Sequence, residues 1–236
     1  FKHLNISKIE NALNKNMKRV ENFWNAKADD YYFISIRSEN TANFGGTAQF
    51  QSFQLQLSTE QQEGYVLDRL ITHEYFHHWN GLKITHKPNQ APLEHLDVWW
   101  FIEGFTDYYA YLLSAPDTKS YRESFAEAKF KNIALKEFKR NYETNTDYFQ
   151  VPYVQGRRLA AWLDKKIEKY SGNRLKNVMH ELLKKSEDAS FFITQENFLK
   201  IICDGNYMNC EEAKRLLKTY VIDGTHEFKY PREPLI

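Results

Sequence analysis

The residues best suited to chemistry stand together in "ITHEYFHHWNG", where His73, Glu74 and His77 form an HExxH pattern. Residues four apart share one face of a helix, so His73 and His77 can hold one metal ion between them. Neutral imidazole suits zinc, and a catalytic zinc takes three protein ligands and keeps a further position for water. Glu74, next to the first histidine and turned aside from both, is placed to act as general base on that water without ligating the metal. The apolar stripe of Val66 and Leu70 runs into the two histidines, so they should face inward, whereas His78 falls on another face. The competing reading of so short a motif is a helix surface with solvated or paired histidines.

The third ligand should be a carboxylate or histidine on a neighbouring element, and "VWWFIEGFTDYY" offers Glu103. Set among Trp99, Trp100, Phe101, Ile102 and Phe105, a carboxylate is costly to bury unless it is paired or binds a metal. A structural ion pair with Arg or Lys is the other reading. Asp107, one turn later on the same face, can accept the second N–H of a ligand histidine and fix its tautomer. Otherwise it is an ordinary helix-surface Asp.

Periodicity outlines the scaffold around these groups. "ISKIENALNKNMKRVENFWNAK" is an amphipathic helix with Ile9, Leu13, Met17, Val20 and Phe23 on one face. "YYFISIR" reads as a short strand, and "FGGTAQFQSFQLQLS" as a glycine turn running into a half-exposed strand with Phe53, Leu55 and Leu57 alternating against Gln54 and Gln56. The HExxH helix is expected to start after the capping-type "STEQ" near Ser58 and to stop at Gly81. A loop with Pro88 and Pro92 leads to a long apolar helix, "LDVWWFIEGFTDYYAYLLSA". Helical patterns then cover about 119–142, 153–170, 173–186, 194–202 and 210–221. The expected class is α+β and predominantly helical. It divides into 1–116, a small sheet with the zinc helices, and 117–236, a helical subdomain, the two forming one catalytic unit.

Composition narrows the function classes. With 32 basic against 31 acidic residues the formal charge is +1, which gives no electrostatic case for nucleic acid or an anionic membrane. No apolar run reaches the length of a membrane span. Cys203 and Cys210 make no disulfide scaffold and lack zinc-knuckle spacing, so free or incidental thiols are favoured over a bridge. The sequence opens at Phe1 without Met, and is expected to be a processed form or an excised piece with any targeting signal upstream. The compartment stays open, with a lean toward a bacterial extracytoplasmic location.

"HEYFHHWN", followed after 25 residues by Glu103 in "WWFIEGFTDYY", resembles the glycyl aminopeptidase family of zinc peptidases, members of the gluzincin clan with a thermolysin-like catalytic domain. The gap is longer than in the related aminopeptidase N family, and Trp79 and Asn80 after the motif fit the former. "VPYVQGRRLAAWLDKKI" resembles the Tyr-x-x-Gly helix start of both families, and "TYVIDGTHEFKYP" the end of the catalytic region. The likeness runs from about Gly45 to the C-terminus. It implies one Zn2+ per chain held by His73, His77 and Glu103, Glu74 as general base, Asp107 supporting a ligand, and a peptide or protein substrate. Tyr153 would donate to the oxyanion of the tetrahedral intermediate; without the resemblance it is one of 15 tyrosines and a packing residue. Arg157 and Arg158 read as a solvated helix face ahead of a contact to a substrate carboxylate.

One stretch departs from the family. Relatives carry a Gly-Gly-Leu-Glu-His-like strand whose Glu clasps the free amine of the substrate. Here "FGGTAQFQS" keeps Gly45 and Gly46 but has Ala48 for that Glu and Gln49 for the His. A methyl cannot anchor an ammonium by charge, yet the strand can still pair with an extended peptide, so Gly45, Gly46 and Gln49 are the candidate substrate-binding residues. The beta domain that precedes the catalytic part of relatives, and the PDZ-like domain that often follows it, are not expected within these residues. The leading function is a zinc-dependent peptidase, with aminopeptidase and endopeptidase action in competition. A zinc-stabilised peptide-binding module is the alternative from another class. A hydrolase for a non-peptide substrate, as in the clan's epoxide hydrolase, finds no support in the residues.

Overall fold

A computed structural model describes residues 4–28, 31–39, 44–58, 63–85, 95–115, 133–141 and 144–224. The "STEQ" cap beyond Ser58, the loop with Pro88 and Pro92, most of the expected 119–142 helix and the end of "TYVIDGTHEFKYP" lie outside these residues.

Asn5 caps the first helix, α1 (Ile6–Trp24), by accepting from the Lys8 amide, and Asn25 stops it with a left-handed φ of 50°. Ile9, Val20, Phe23 and Trp24 are buried along it, while Leu13 and Met17 are half-buried. Three strands come next: β1 (Phe33–Glu39), β2 (Gly45–Gln49) and β3 (Ser52–Ser58). The two glycines expected in a turn instead begin a strand, because Gly45 to Gln49 pair antiparallel with Gln56 to Ser52 of β3. The chain turns later, at Phe50 and Gln51, where Gln51 takes a φ of 52°. β1 pairs in parallel with β3, so the order is β1-β3-β2 and β2 is an edge. Alternation puts Phe53, Leu55 and Leu57 on the buried face, with Ile34, Ile36, Gly46 and Ala48 beside them by register.

α2 (Tyr65–Phe76) carries the HExxH motif and ends before the expected Gly81. The Trp79 and Asn80 amides both donate to the Phe76 carbonyl, a tighter turn that closes the helix. His77 nevertheless keeps a helical φ of −61°, so its four-residue relation to His73 survives. A 3-10 turn at His95–Val98 leads into α3 (Trp99–Ser114). The remaining described α-helices are α4 (Leu135–Asn141), α5 (Gln150–Ser171), α6 (Leu175–Lys185), α7 (Gln195–Asp204) and α8 (Cys210–Leu217), with a 3-10 turn at Thr146–Phe149 and a π turn at Lys218–Ile222. The protein is thus α+β and mostly helical, with one small sheet among the described residues. Among those residues no helix is long and apolar enough to cross a membrane.

The expectation of free thiols is overturned. Cys203 and Cys210 are bridged, since the turn from α7 into α8 brings their Cα atoms to 4.9 Å, within disulfide reach. They stand seven positions apart, and in the loop-entropy model closing so short a loop stabilises by about 2–3 kcal/mol. Replacing both by Ser should lower the unfolding free energy by that amount in a urea titration, and a reductant should reproduce the loss.

The chain divides into two compact units, Phe1–Leu82 with Tyr109–Tyr121, and Lys83–Tyr108 with Arg122–Ile236. In the first, α1 packs on α2, and α2 packs on β2 and β3. Phe23, Phe76 and Tyr109 form an aromatic cluster there, with Phe23 and Tyr109 ring centroids 4.3 Å apart. Asn16 of α1 donates to Asp68 at 2.7 Å, and Tyr75 donates to Glu21 at 2.9 Å, which fixes the rotation of α2. In the second unit Trp100, Phe101 and Phe105 of α3 meet Phe198 of α7. Gly104 of α3 meets Gly156 of α5 so closely that a Cβ on Gly104 would fall 2.3 Å from the Gly156 Cα. This crossing gives the Tyr-x-x-Gly pattern a packing reason: Gly156 lets the helices touch.

Candidate metal centre

In the first unit the motif helix presents two buried imidazoles, His73 and His77, with their Nε2 atoms 3.1 Å apart. Two nitrogens bound to one tetrahedral zinc at 2.0–2.1 Å would stand roughly 3.3 Å apart, so the spacing suits a shared ion. The His77 ring is held from behind: its Nδ1 lies 2.9 Å from the Asn80 carbonyl oxygen. A carbonyl can only accept, so Nδ1 carries the proton and donates, and Nε2 is left with the lone pair a metal needs. The turn that ends α2 early is what delivers that carbonyl. The reading of solvated surface histidines is excluded by their burial. His78, also buried, packs by its ring edge on Tyr32 and Trp79, on the face away from the pair.

Glu74 is 6% exposed and lies against the backbone of β2. A Cβ at Gly46 would come within 2.6 Å of the Glu74 Cγ, Cδ and Oε1 atoms, so any other residue there would have to displace this carboxylate. Gly45, facing the other way, would meet nothing. Gly46→Ala should therefore displace the Glu74 side chain, a shift that a crystal structure of the variant would show directly. Ala48 lies on the Gly46 face of the strand and is half-buried; Gln49 points to the other face and is exposed. Tyr32, just before β1, packs edge-on against Tyr75 and contacts Phe53. Burial, and after it the negative charge of Glu74, push its hydroxyl above the usual tyrosine range.

The second unit carries the remaining candidates. Glu103 on α3 is half-buried. Asp107, one turn on, is 3% exposed and accepts from the Arg157 guanidinium of α5 at 2.8 Å. Arg157 is itself 3% exposed, which corrects its reading as part of a solvated face, and the surface reading of Asp107 falls with it. Tyr153 lies half-buried in the first turn of α5, one helical turn before Gly156. Among the described residues one group of acids and histidines could hold a metal ion: His73, His77 and Glu103 each offer a ligand atom, all within 4.8 Å of one another. Two imidazoles and one carboxylate are a donor set that zinc accepts. Sequence reasoning missed the Asn80 carbonyl and Arg157. The first had no side-chain signal; the second was hidden in a basic pair that resembles any helix surface.

Comparisons with known proteins found a likeness in family and a likeness in fold. A family model described as M61 glycyl aminopeptidase matches residues 67–144, the stretch that contains the HExxH motif and α3. Among solved structures, an aminopeptidase N family protein from Idiomarina loihiensis is similar in fold, with a TM-score of 0.76 at 19% sequence identity. The likeness covers 98% of this chain and 44% of that one, so the chain spans less than half the length of that protein. Among curated proteins none matches.

Proposed function

The family match and the likeness in fold support assignment of this chain to the M61 glycyl aminopeptidases, and on that premise we propose that it is a zinc-dependent peptidase. The observation that carries the reading is the His73–His77 pair, with Nε2 atoms 3.1 Å apart and the tautomer of His77 set by the Asn80 carbonyl. Glu103 is the proposed third ligand. A zinc ion held by these three would supply Lewis-acid polarisation of the scissile carbonyl and would acidify a water.

The residues of the chain divide the rest of the work. Glu74, pinned by the β2 backbone, takes the proton of the attacking water and passes it to the leaving amine. Tyr153 donates its hydroxyl to the oxygen that gains charge at the tetrahedral stage. Asp107 supports the ligand shell and is itself held by Arg157. The open edge of β2 pairs with the substrate backbone, Gly45, Gly46 and Gln49 lining that track. We place the catalytic domain in the thermolysin-like class on the same basis.

A second reading within this function rests on Ala48. It faces the side of Glu74 without a charge, and β2 contains no acid to hold a substrate ammonium. An extended peptide can run past this point, which favours cleavage of internal bonds over removal of the first residue. The test uses a matched pair of peptides, one with a free amino terminus and one acetylated, with and without a chelator, and cleavage read by mass spectrometry. Chelator-sensitive cutting of both at internal bonds is expected, together with about one zinc per chain by elemental mass spectrometry. Stepwise trimming of the free peptide alone would return the aminopeptidase reading. No zinc in protein prepared without chelator would overturn the metal centre.

A further inference from the structure

The turn behind His77 contains a backbone conformation that residues with a side chain rarely adopt: Gly81 stands at a φ of 125°. A glycine that only stops a helix takes the left-handed region, with φ near about +57°. On either side of Gly81 the main chain is tied down. The Asn80 amide donates to the Phe76 carbonyl at 3.0 Å, and the Leu82 amide donates to the His77 carbonyl at 3.2 Å. Between these two anchors lies the Asn80–Gly81 peptide, whose carbonyl oxygen is 2.9 Å from His77 Nδ1. A planar peptide held at both ends can turn over as a plate, changing the ψ before it and the φ after it in opposite senses. Turned over, residue 81 would have the negative φ that every L residue accepts. The C=O and N–H of a trans peptide point in opposite directions, so the residue 81 N–H would then face His77 Nδ1 in place of the Asn80 oxygen. Nδ1 would accept, Nε2 would carry the proton, and the lone pair that a metal needs would be lost.

We propose that Gly81 is a positioning residue of the metal centre: its positive φ keeps the Asn80 carbonyl on His77 Nδ1 and so keeps the Nε2 of His77 open to zinc. This rests on the reading of His73, His77 and Glu103 as zinc ligands, and deepens it. The HExxH spacing places the two histidines on one face, whereas the glycine four residues after the second selects which of its nitrogens is free. A side chain at position 81 would favour the turned-over peptide and reverse that selection, although no atom of residue 81 is asked to touch the metal.

Gly81→Ala tests this through two readouts. In metal-free protein with isotopically labelled histidine, a long-range proton–nitrogen correlation spectrum reports the tautomer of His77, whose signal is assigned by its loss in His77→Gln protein. The parent should show the Nδ1–H form, and Gly81→Ala should shift it to the Nε2–H form. Zinc Kd, measured by competition with a chelator, should rise about 10–100-fold, the scale seen when the outer partner of a ligand histidine is removed. Gly81→Asn should fall between the parent and Gly81→Ala, because Asn accepts a positive φ more readily. The control is Gly172→Ala. Gly172 follows α5 at a φ of 74°, and a Cβ there would meet nothing, so the substitution imposes a backbone penalty on a residue outside the centre. It should lower Tm and leave the His77 tautomer and the zinc Kd as in the parent.

A His77 that stays in the Nδ1–H form in Gly81→Ala, or an unchanged zinc Kd, overturns the proposal even if Tm falls, because Gly81 would then serve only to stop the helix. The same shifts in Gly172→Ala would trace them to lost stability and overturn it too. If only Gly81→Ala fails to fold, Gly81→Asn carries both readouts. Should neither Gly81 variant fold while Gly172→Ala does, the glycine is a requirement of the fold and the positioning role fails. A parent protein that binds no zinc would instead sink the metal centre; the tautomer shift, read without metal, would still decide whether Gly81 sets the nitrogen that His77 presents.

Discussion

Glu74→Gln should lower kcat by about 10³-fold while zinc content and Tm stay near those of the parent, because a positioned general base contributes on the order of 10²–10⁴. The substitution keeps the side-chain shape, so the packing against Gly46 is preserved and no cavity opens. What is lost is the capacity to take a proton and release it to the leaving amine. KM should change little, since Glu74 is proposed to act on the water and not on the bound peptide. A binding module that used the same cleft would show a different result: equal peptide affinity before and after the change, with no turnover to lose. Active-site titration of zinc together with kcat separates the two, and a fall in zinc content would instead reveal Glu74 as a ligand.

Arg157→Met should destabilise the fold by about 3–5 kcal/mol, because it leaves the Asp107 carboxylate buried without its cation. Both partners are almost fully inaccessible, 4% by side chain, so water cannot replace the lost contact. In a protein of this size that loss corresponds to a Tm decrease on the order of 10 °C. Buried pairs are often no more stabilising than apolar neighbours of the same volume, so the double variant Asp107→Leu, Arg157→Met should regain most of the stability. Recovery of Tm without recovery of kcat would locate a catalytic contribution of Asp107 apart from its structural one. Failure of the double variant to recover would mean that Arg157 supports the fold through other partners.

The parts that were legible from sequence are those whose cause is local. His73 and His77 sit four apart on α2, and the aromatic run around Glu103 announces a buried helix; both come from spacing and composition alone. The β3 alternation was readable for the same reason, since each side chain records which face it occupies. The features that escaped depend on residues far apart in the chain. Gly46 is a glycine because Glu74, 28 positions later, occupies the space a methyl would need. Arg157 pairs across 50 residues with Asp107, and nothing in "GRRLAAW" distinguishes it from Arg158 beside it. The end of α2 at Phe76 was missed because Gly81 is the stronger stop signal, whereas the helix is closed by a main-chain turn that no side chain marks. Cys203 and Cys210 are close enough in sequence for either outcome, and only the turn between α7 and α8 decides it. Tyr32 stands in a tyrosine pair at the mouth of a strand, where periodicity does not say which ring turns inward.

The pairing of β2 with β3 has a consequence for how this protein can change. Because faces alternate with every residue, inserting or deleting one residue between Gly46 and Phe50 would exchange the two faces of the strand beyond that point. Thr47 or Gln49 would then move to the side of Ala48, and a polar side chain would enter the face that β2 turns toward Glu74. A one-residue shift of register at Gly46 would bring either Gly45 or Thr47 opposite Glu74, and Thr47 would carry a Cβ into it. Point substitutions at Ala48 therefore leave the strand faces in place, whereas length changes in this hairpin exchange them. On the proposed peptidase function, a library that varies Ala48 and keeps the strand length should yield active variants; one that varies length should yield almost none.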